Sequence, residues 1–116
     1  MKLNDNDKLV NVLTCSEDSY FFLSTKLGKC IRFSCSDLRI FSGRSSIGVR
    51  GIKLSKGDTV ISLAILNGID FDVTERDEYL RISTLIRKNE KIENNNLNDE
   101  KFKNLQENEE FILSVT

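Results

Sequence analysis

The run Thr59-Val60-Ile61-Ser62-Leu63-Ala64-Ile65-Leu66 constrains the fold more than any other stretch of the chain. It is rich in β-branched residues, which are stiff at χ1 and suit a pleated surface, and it is apolar on both strand faces. A strand lying centrally in a sheet is expected, entered through the turn residues Lys56-Gly57-Asp58. Two earlier apolar runs, Tyr20-Phe21-Phe22-Leu23 and Lys29-Cys30-Ile31-Arg32-Phe33, flank Gly28, where a hairpin needs a positive φ. They read as an antiparallel pair. Side-chain alternation puts Lys29, Ile31 and Phe33 on one face of the second strand and Arg32 on the other.

Leu9, Val10, Val12 and Leu13 suggest a further short buried strand, and Ser16 to Ser19 is turn chemistry. The Ser-rich segment 34–46 reads as a loop with room for one helical turn around Ser36 to Ile40. The composition changes at Asn67-Gly68. Thr74 and Asp77 have capping-box spacing, and Tyr79, Ile82 and Ile86 recur at helical intervals, predicting a helix from about Glu75 to Asn89 with those three as its packing stripe. Glu90 to Asn98, with its triple asparagine, reads as mobile; Asn98 can cap a second short helix presenting Phe102 and Leu105, and Phe111 to Val115 reads as a strand.

With 116 residues the chain can form one domain with its own core. No apolar stretch approaches the roughly 18 residues of a membrane span. A polar run, Asn4 to Lys8, stands where a signal peptide would be apolar, so a soluble, cytoplasmic protein is expected, with no membrane partner. Cys15, Cys30 and Cys35 form no CxxC pair and there is no histidine to complete a zinc site, which leaves buried or idle reduced thiols and no metal. Without histidine or a G-x-S-x-G elbow, nucleophilic catalysis has no visible centre. The carboxylate pairs Glu75/Asp77 and Glu109/Glu110 read as solvated charge.

The net charge of −1 conceals an asymmetry: residues 1–66 carry ten Lys/Arg against six Asp/Glu (+4), and residues 67–116 carry seven against twelve (−5). The basic half includes Gly43-Arg44-Ser45-Ser46-Ile47-Gly48-Val49-Arg50-Gly51-Ile52-Lys53-Leu54, where glycines 43, 48 and 51 permit sharp turns or a close approach and three cations add positive charge. A P-loop is excluded, because Val49 and Arg50 stand where Lys and Ser/Thr must follow the second glycine. Two readings of this chemistry stay open: an anion-binding bend, or a connection whose arginines are merely solvated.

The pattern Ser24-Thr25-x-x-Gly28-Lys29-x-x-Arg32-Phe33, Asp37-Leu38-Arg39, Gly43-Arg44-x-x-x-Gly48-Val49-Arg50-Gly51-Ile52-x-Leu54, Gly57-Asp58-x-Val60-x-Ser62 resembles one blade repeat of the C-terminal domain of the DNA gyrase A protein. The resemblance implies a mainly β fold: a β-pinwheel or propeller-type blade of antiparallel strands over 1–66, an acidic helical insertion over 67–108, and the first strand of the next blade over 109–116. It implies binding and wrapping of duplex DNA, with Lys29, Arg32, Arg39, Arg44, Arg50 and Lys53 as the DNA-binding residues. The parent it resembles is a topoisomerase of two A and two B subunits that introduces negative supercoils at the expense of ATP.

On that resemblance this chain carries no catalytic residue and no cofactor, since ATP and magnesium are used through other domains. Its partners would be duplex DNA, the remaining blades of the same polypeptide, and the gyrase B protein. The glutamine-arginine-arginine-glycine-glycine-lysine-glycine box of the family's first blade is absent, which implies an interior blade. The A-type protein of topoisomerase IV is the nearest alternative, and a protein-interaction module docking through the acidic helices is another.

Overall fold

A computed structural model describes residues 1–115, arranged as two compact units, Met1–Gly68 and Ile69–Thr116. Thr116, the last residue of the strand expected over 109–116, lies outside the described residues.

The first unit is built on a three-stranded antiparallel sheet of β1 (Tyr20–Thr25), β2 (Cys30–Ser34) and β3 (Val60–Leu66), in the order β2-β1-β3. The hairpin is present, with Phe21 opposite Phe33 and Leu23 opposite Ile31, and Gly28 adopts φ 87°. The Phe21 and Phe33 rings meet at a centroid distance of 5.4 Å. The expectation that β3 lies centrally is overturned: β1 is the middle strand and β3 lies at an edge. Apolar alternation reports on the faces of a strand, whereas sheet order depends on which backbone edges are hydrogen-bonded, a direction at right angles to those faces.

Several residues of the sequence pattern hold this sheet together. Thr25 closes the hairpin turn: its N–H donates to the Lys29 carbonyl at 2.8 Å, its carbonyl accepts from Gly28 N–H at 3.1 Å, and its hydroxyl accepts from Lys29 N–H at 3.0 Å. Asp58 ties that turn to the start of β3, one carboxylate oxygen accepting from the N–H groups of Leu27 and Thr59, both at 2.9 Å. The Lys26 N–H donates to the Thr59 carbonyl at 2.9 Å, and the Ser24 and Ser62 hydroxyls bond across the β1–β3 pair. Burial acts to raise the Asp58 carboxyl, but hydrogen bonds from Leu27, Thr25 and Thr59, with the nearby Lys29 charge, hold it below the usual carboxylate range.

Two expected strands do not form. Leu9 to Leu13 has no regular structure, and its four apolar side chains are exposed. Phe111 to Val115 is likewise without regular structure. In both, the composition suits a strand, but among the described residues neither finds a ladder partner, and a strand exists only as one member of a ladder. The helical turn expected around Ser36 to Ile40 is a 3-10 turn over Cys35–Asp37, capped by the Ser34 side chain accepting from Ser36 N–H. The three cysteines are free thiols: Cys15 and Cys30 are exposed and Cys35 is partly covered, so of the two expected states, buried or idle, burial is not the one found.

No apolar side chain of the first unit is fully buried among the described residues; its buried residues are the polar Ser19, Thr25 and Asp58. Hydrogen bonding rather than a closed core therefore fixes its strands relative to one another.

The second unit contains α1 (Val73–Arg87) and α2 (Asp99–Glu107). The start of α1 differs from expectation. Asp72, not Thr74, is the N-cap, and Glu75, not Asp77, completes the capping box by accepting from Asp72 N–H at 2.9 Å. Thr74 instead donates its hydroxyl to Asp72 at 2.5 Å. Asn98 caps α2 as expected, its side chain accepting from Glu100 N–H at 2.9 Å. Tyr79, Ile82, Leu97 and Leu105 form the core, with Ile69, Phe71 and Phe102 packed against it. Ile86 is exposed, and Leu97, from the asparagine-rich segment, takes a place in the core instead. Glu75 and Glu109 are not free solvated charges: Glu75 pairs with Lys101 at 3.5 Å, and Glu109 accepts from the Tyr79 hydroxyl and from Arg87 at 2.5 Å.

Two outcomes follow from this packing. Ile82 is 2% exposed at the centre of the helical core, and Ile82→Ala should destabilise that unit by about 2–5 kcal/mol, read from urea unfolding followed by helical circular dichroism. A loss below about 1 kcal/mol would contradict it. Because the Asp58 carboxyl is depressed in the folded state, its contribution is present above the unfolded carboxylate value near about 4 and disappears as pH falls through the folded value. The wild-type sheet should therefore lose stability in acid, and Asp58→Asn should be less stable at pH 7 and respond less to acid.

Candidate nucleic-acid interface

The loop between β2 and β3 is folded back on the sheet by the geometry of two glycines. Gly48 has φ 85°, a left-handed conformation that a side-chain-bearing residue adopts only with strain. Gly51 approaches so closely that a Cβ there would lie 2.9 Å from Leu23 Cδ1 and 3.5 Å from the Phe33 ring. Gly43 shows neither feature, so the loop requires glycine at two of the three expected positions.

This approach brings Val49, Arg50 and Gly51 opposite Ile31 and Phe33 of β2 and the segment Asp37-Leu38-Arg39. Together they line an open groove of about 400 Å³. Its lining is largely apolar, and its charged residues are Arg39, Arg50 and Asp37. The Arg39 guanidinium lies 4.6 Å from the centre of the Phe41 ring. Stacking of this kind steadies the planar group while its N–H edges stay available for oxyanions.

The six expected DNA-binding residues do not form one cluster. Arg39 and Arg50 share the groove. Arg32 projects from the opposite face of β2 and stacks on Tyr20, with its Cζ 5.1 Å from the ring centre. Lys29 is exposed in the hairpin turn, near enough to Asp58 to help depress its carboxyl. Arg44 and Lys53 are exposed along the loop. Lys2 is a basic residue that the sequence pattern does not mark. Its N–H donates to the Ser46 carbonyl at 2.9 Å, bringing it alongside the loop that carries Arg44. Nothing in local spacing signals such a contact, which joins segments more than forty residues apart.

The two units treat their cations differently. Five ion pairs lie in the helical unit: Arg76–Asp77, Arg81–Glu78, Arg87–Glu109, Lys101–Glu75 and Lys103–Glu107. The Glu78 carboxyl is held below its usual range, first by its hydrogen bond from Arg81. Among the described residues none of the basic side chains of Met1–Gly68 is in such a pair, and only Lys29 is near enough to a carboxylate, Asp58, to shift it. The described residues hold no group of three or more potential metal ligands, and no helix among them is long and apolar enough to cross a membrane.

Comparison with known proteins agrees with this geometry. The family described as DNA gyrase C-terminal domain, β-propeller, matches residues 1–16 and 19–67. The DNA gyrase A protein of Granulibacter bethesdensis is 37% identical over 137 aligned positions, covering all of this chain and 15% of that protein. That of Rickettsia prowazekii is 41% identical over 124 positions, covering all of this chain and 14% of that protein. That of Escherichia coli K12 is 44% identical over 69 positions, covering 59% of this chain and 8% of that protein. The chain thus spans about one-seventh of the length of the first two relatives, and these names favour gyrase over topoisomerase IV. No solved structure gives a significant match. The blade pattern, the antiparallel sheet that its residues pin, and the family match over more than half the sequence together establish that the chain belongs to the DNA gyrase C-terminal domain family, of β-propeller fold.

Proposed function

We propose that this chain is a DNA-binding and wrapping segment of a gyrase A protein, holding duplex DNA through its phosphates and not by reading bases. The observation that carries the proposal is the set of exposed cations in the sheet unit that form no ion pair among the described residues, with Arg39 and Arg50 lining one groove. Such cations gain from displacing counterions condensed on DNA, and guanidiniums suit phosphate oxygens geometrically. Lys29, Arg44 and Lys53 extend the contact beyond the groove, and Arg32 would meet DNA at the opposite face of β2.

Wrapping by such segments would give strand passage its handedness in a parent of two A and two B subunits, which supercoils DNA negatively using ATP and magnesium through other domains. On this reading the chain itself performs no catalysis and acts in the cytoplasm. We assign 1–66 to the blade, 67–108 to an acidic insertion, and 109–116 to the opening strand of the following blade. The lack of any fully buried apolar side chain among the described residues of the sheet unit supports neighbouring blades as partners, since stacked repeats bury faces that one repeat leaves open. The exposed side chains of Phe111, Leu113 and Val115 support the strand assignment in the same way.

Titrating a mixed-sequence duplex at several salt concentrations tests the proposal. Binding should weaken steeply with salt, and the Arg39→Ala/Arg50→Ala variant should lower the slope of log K against log salt by about 2, for two lost phosphate contacts. Similar losses are expected on different duplex sequences. Absence of binding at low salt, or a variant with unchanged slope, would contradict the proposal.

A further inference from the structure

Two of the three cysteines, twenty residues apart in sequence, meet in the fold: Cys15 Sγ and Cys35 Sγ lie 3.5 Å apart. Backbone contacts hold them there. Cys15 directly precedes the Ser16–Ser19 turn, in which Ser19 N–H donates to the Ser16 carbonyl at 3.2 Å and Ser16 N–H to the Ser19 hydroxyl at 3.2 Å. The Ser19 carbonyl then accepts from Cys35 N–H at 2.8 Å. Ser19 is itself buried, so the tie is anchored in the unit and is not a chance contact between two loose ends. Cys15 is exposed, whereas Cys35 is partly covered.

We propose that Cys15 and Cys35 are a site of reversible oxidation, closing to a disulfide when the protein meets a peroxide. The Cys15 thiolate attacks one peroxide oxygen. An S–O bond forms, the O–O bond breaks, and the departing hydroxide takes a proton to leave as water. The Cys35 sulfur then attacks the Cys15 sulfenic sulfur, forming the S–S bond and breaking the S–O bond. The hydroxyl leaves as a second water with the Cys35 proton. Two thiols lose two electrons in total, and one peroxide is reduced to two waters.

Closing from 3.5 Å to the roughly 2.0 Å of a disulfide requires the sulfurs to move together by about 1.5 Å, at a site where one partner is on the surface. Cys35 opens the 3-10 turn that leads to Asp37, Leu38 and Arg39 in the groove lining. The bond would clamp the base of that segment. Cys30, exposed on β2 with Ser24 as its strand partner, has no such arrangement and serves as an internal control.

The test is hydrogen peroxide treatment of the chain, alkylation of the remaining thiols, and peptide mass mapping. The expected product is monomeric, with one cross-linked peptide pair joining Cys15 to Cys35, an alkylated Cys30, and full reversal by dithiothreitol. Cys30→Ser should leave the product unchanged, while Cys15→Ser and Cys35→Ser should abolish it. The bond should form at least about tenfold faster in the native chain than in the urea-unfolded chain, because only the fold brings the sulfurs together. Three thiols still alkylatable after peroxide, a bond to Cys30, a bond between chains, over-oxidation of Cys15 without cross-linking, or equal rates in native and unfolded chains would each overturn the proposal.

Discussion

The sheet unit depends on one carboxylate. Asp58 accepts backbone N–H groups from both Leu27 and Thr59, so the turn between the first two strands and the entry to the third are joined at a single atom. A charged acceptor makes stronger hydrogen bonds than a neutral one. Strength at this point matters because the unit has no sealed apolar core behind it. With Thr25 closing the same turn, the arrangement fixes where β3 starts along β1, and hence the register that places Phe21 and Leu23 opposite Ile65 and Leu63. The loop carrying Arg50 is seated against Leu23 and Phe33 of this sheet, so the position of the basic groove is inherited from the strand register.

The two units show opposite uses of charge. In the helices, Glu75, Glu78 and Glu109 are tied to Lys101, Arg81 and Arg87; Glu75 also caps α1, and Glu109 also holds the Tyr79 hydroxyl. Those cations are engaged internally. In the sheet unit the lysines and arginines have no such carboxylate partners among the described residues, and two arginines lie on aromatic rings that steady them without neutralising them. A net charge near zero for the whole chain therefore coexists with a locally basic surface.

What is legible in the sequence is the part written in local chemistry. The hairpin follows from two apolar runs around Gly28, and the cap of α2 follows from Asn98. The run that forms β3 reads as central yet lies at an edge, because hydrophobic pattern carries no information about which backbone edges are paired. Leu9 to Leu13 and Phe111 to Val115 have strand composition without a strand, because pairing is a property of two segments and composition belongs to one. At the start of α1, Thr74 and Asp77 have the box spacing, but Asp72 with Glu75 offers the full reciprocal pair and wins. Arg39 and Arg50 can be named from the pattern, whereas their shared groove, the separation of Arg32 onto the other face, and the Cys15–Cys35 contact arise only when distant segments fold together.

On the proposed function, duplex DNA lies against the cations of the sheet unit and not against the helices. This placement is tested most directly by adding a short duplex to the isotopically labelled chain and following the backbone amide resonances residue by residue. The largest shifts are expected at Arg39 and at Val49, Arg50 and Gly51, with smaller ones at Arg44 and Lys53, all diminishing as salt is raised. Shifts confined to α1 and α2, or spread evenly over both units, would contradict it.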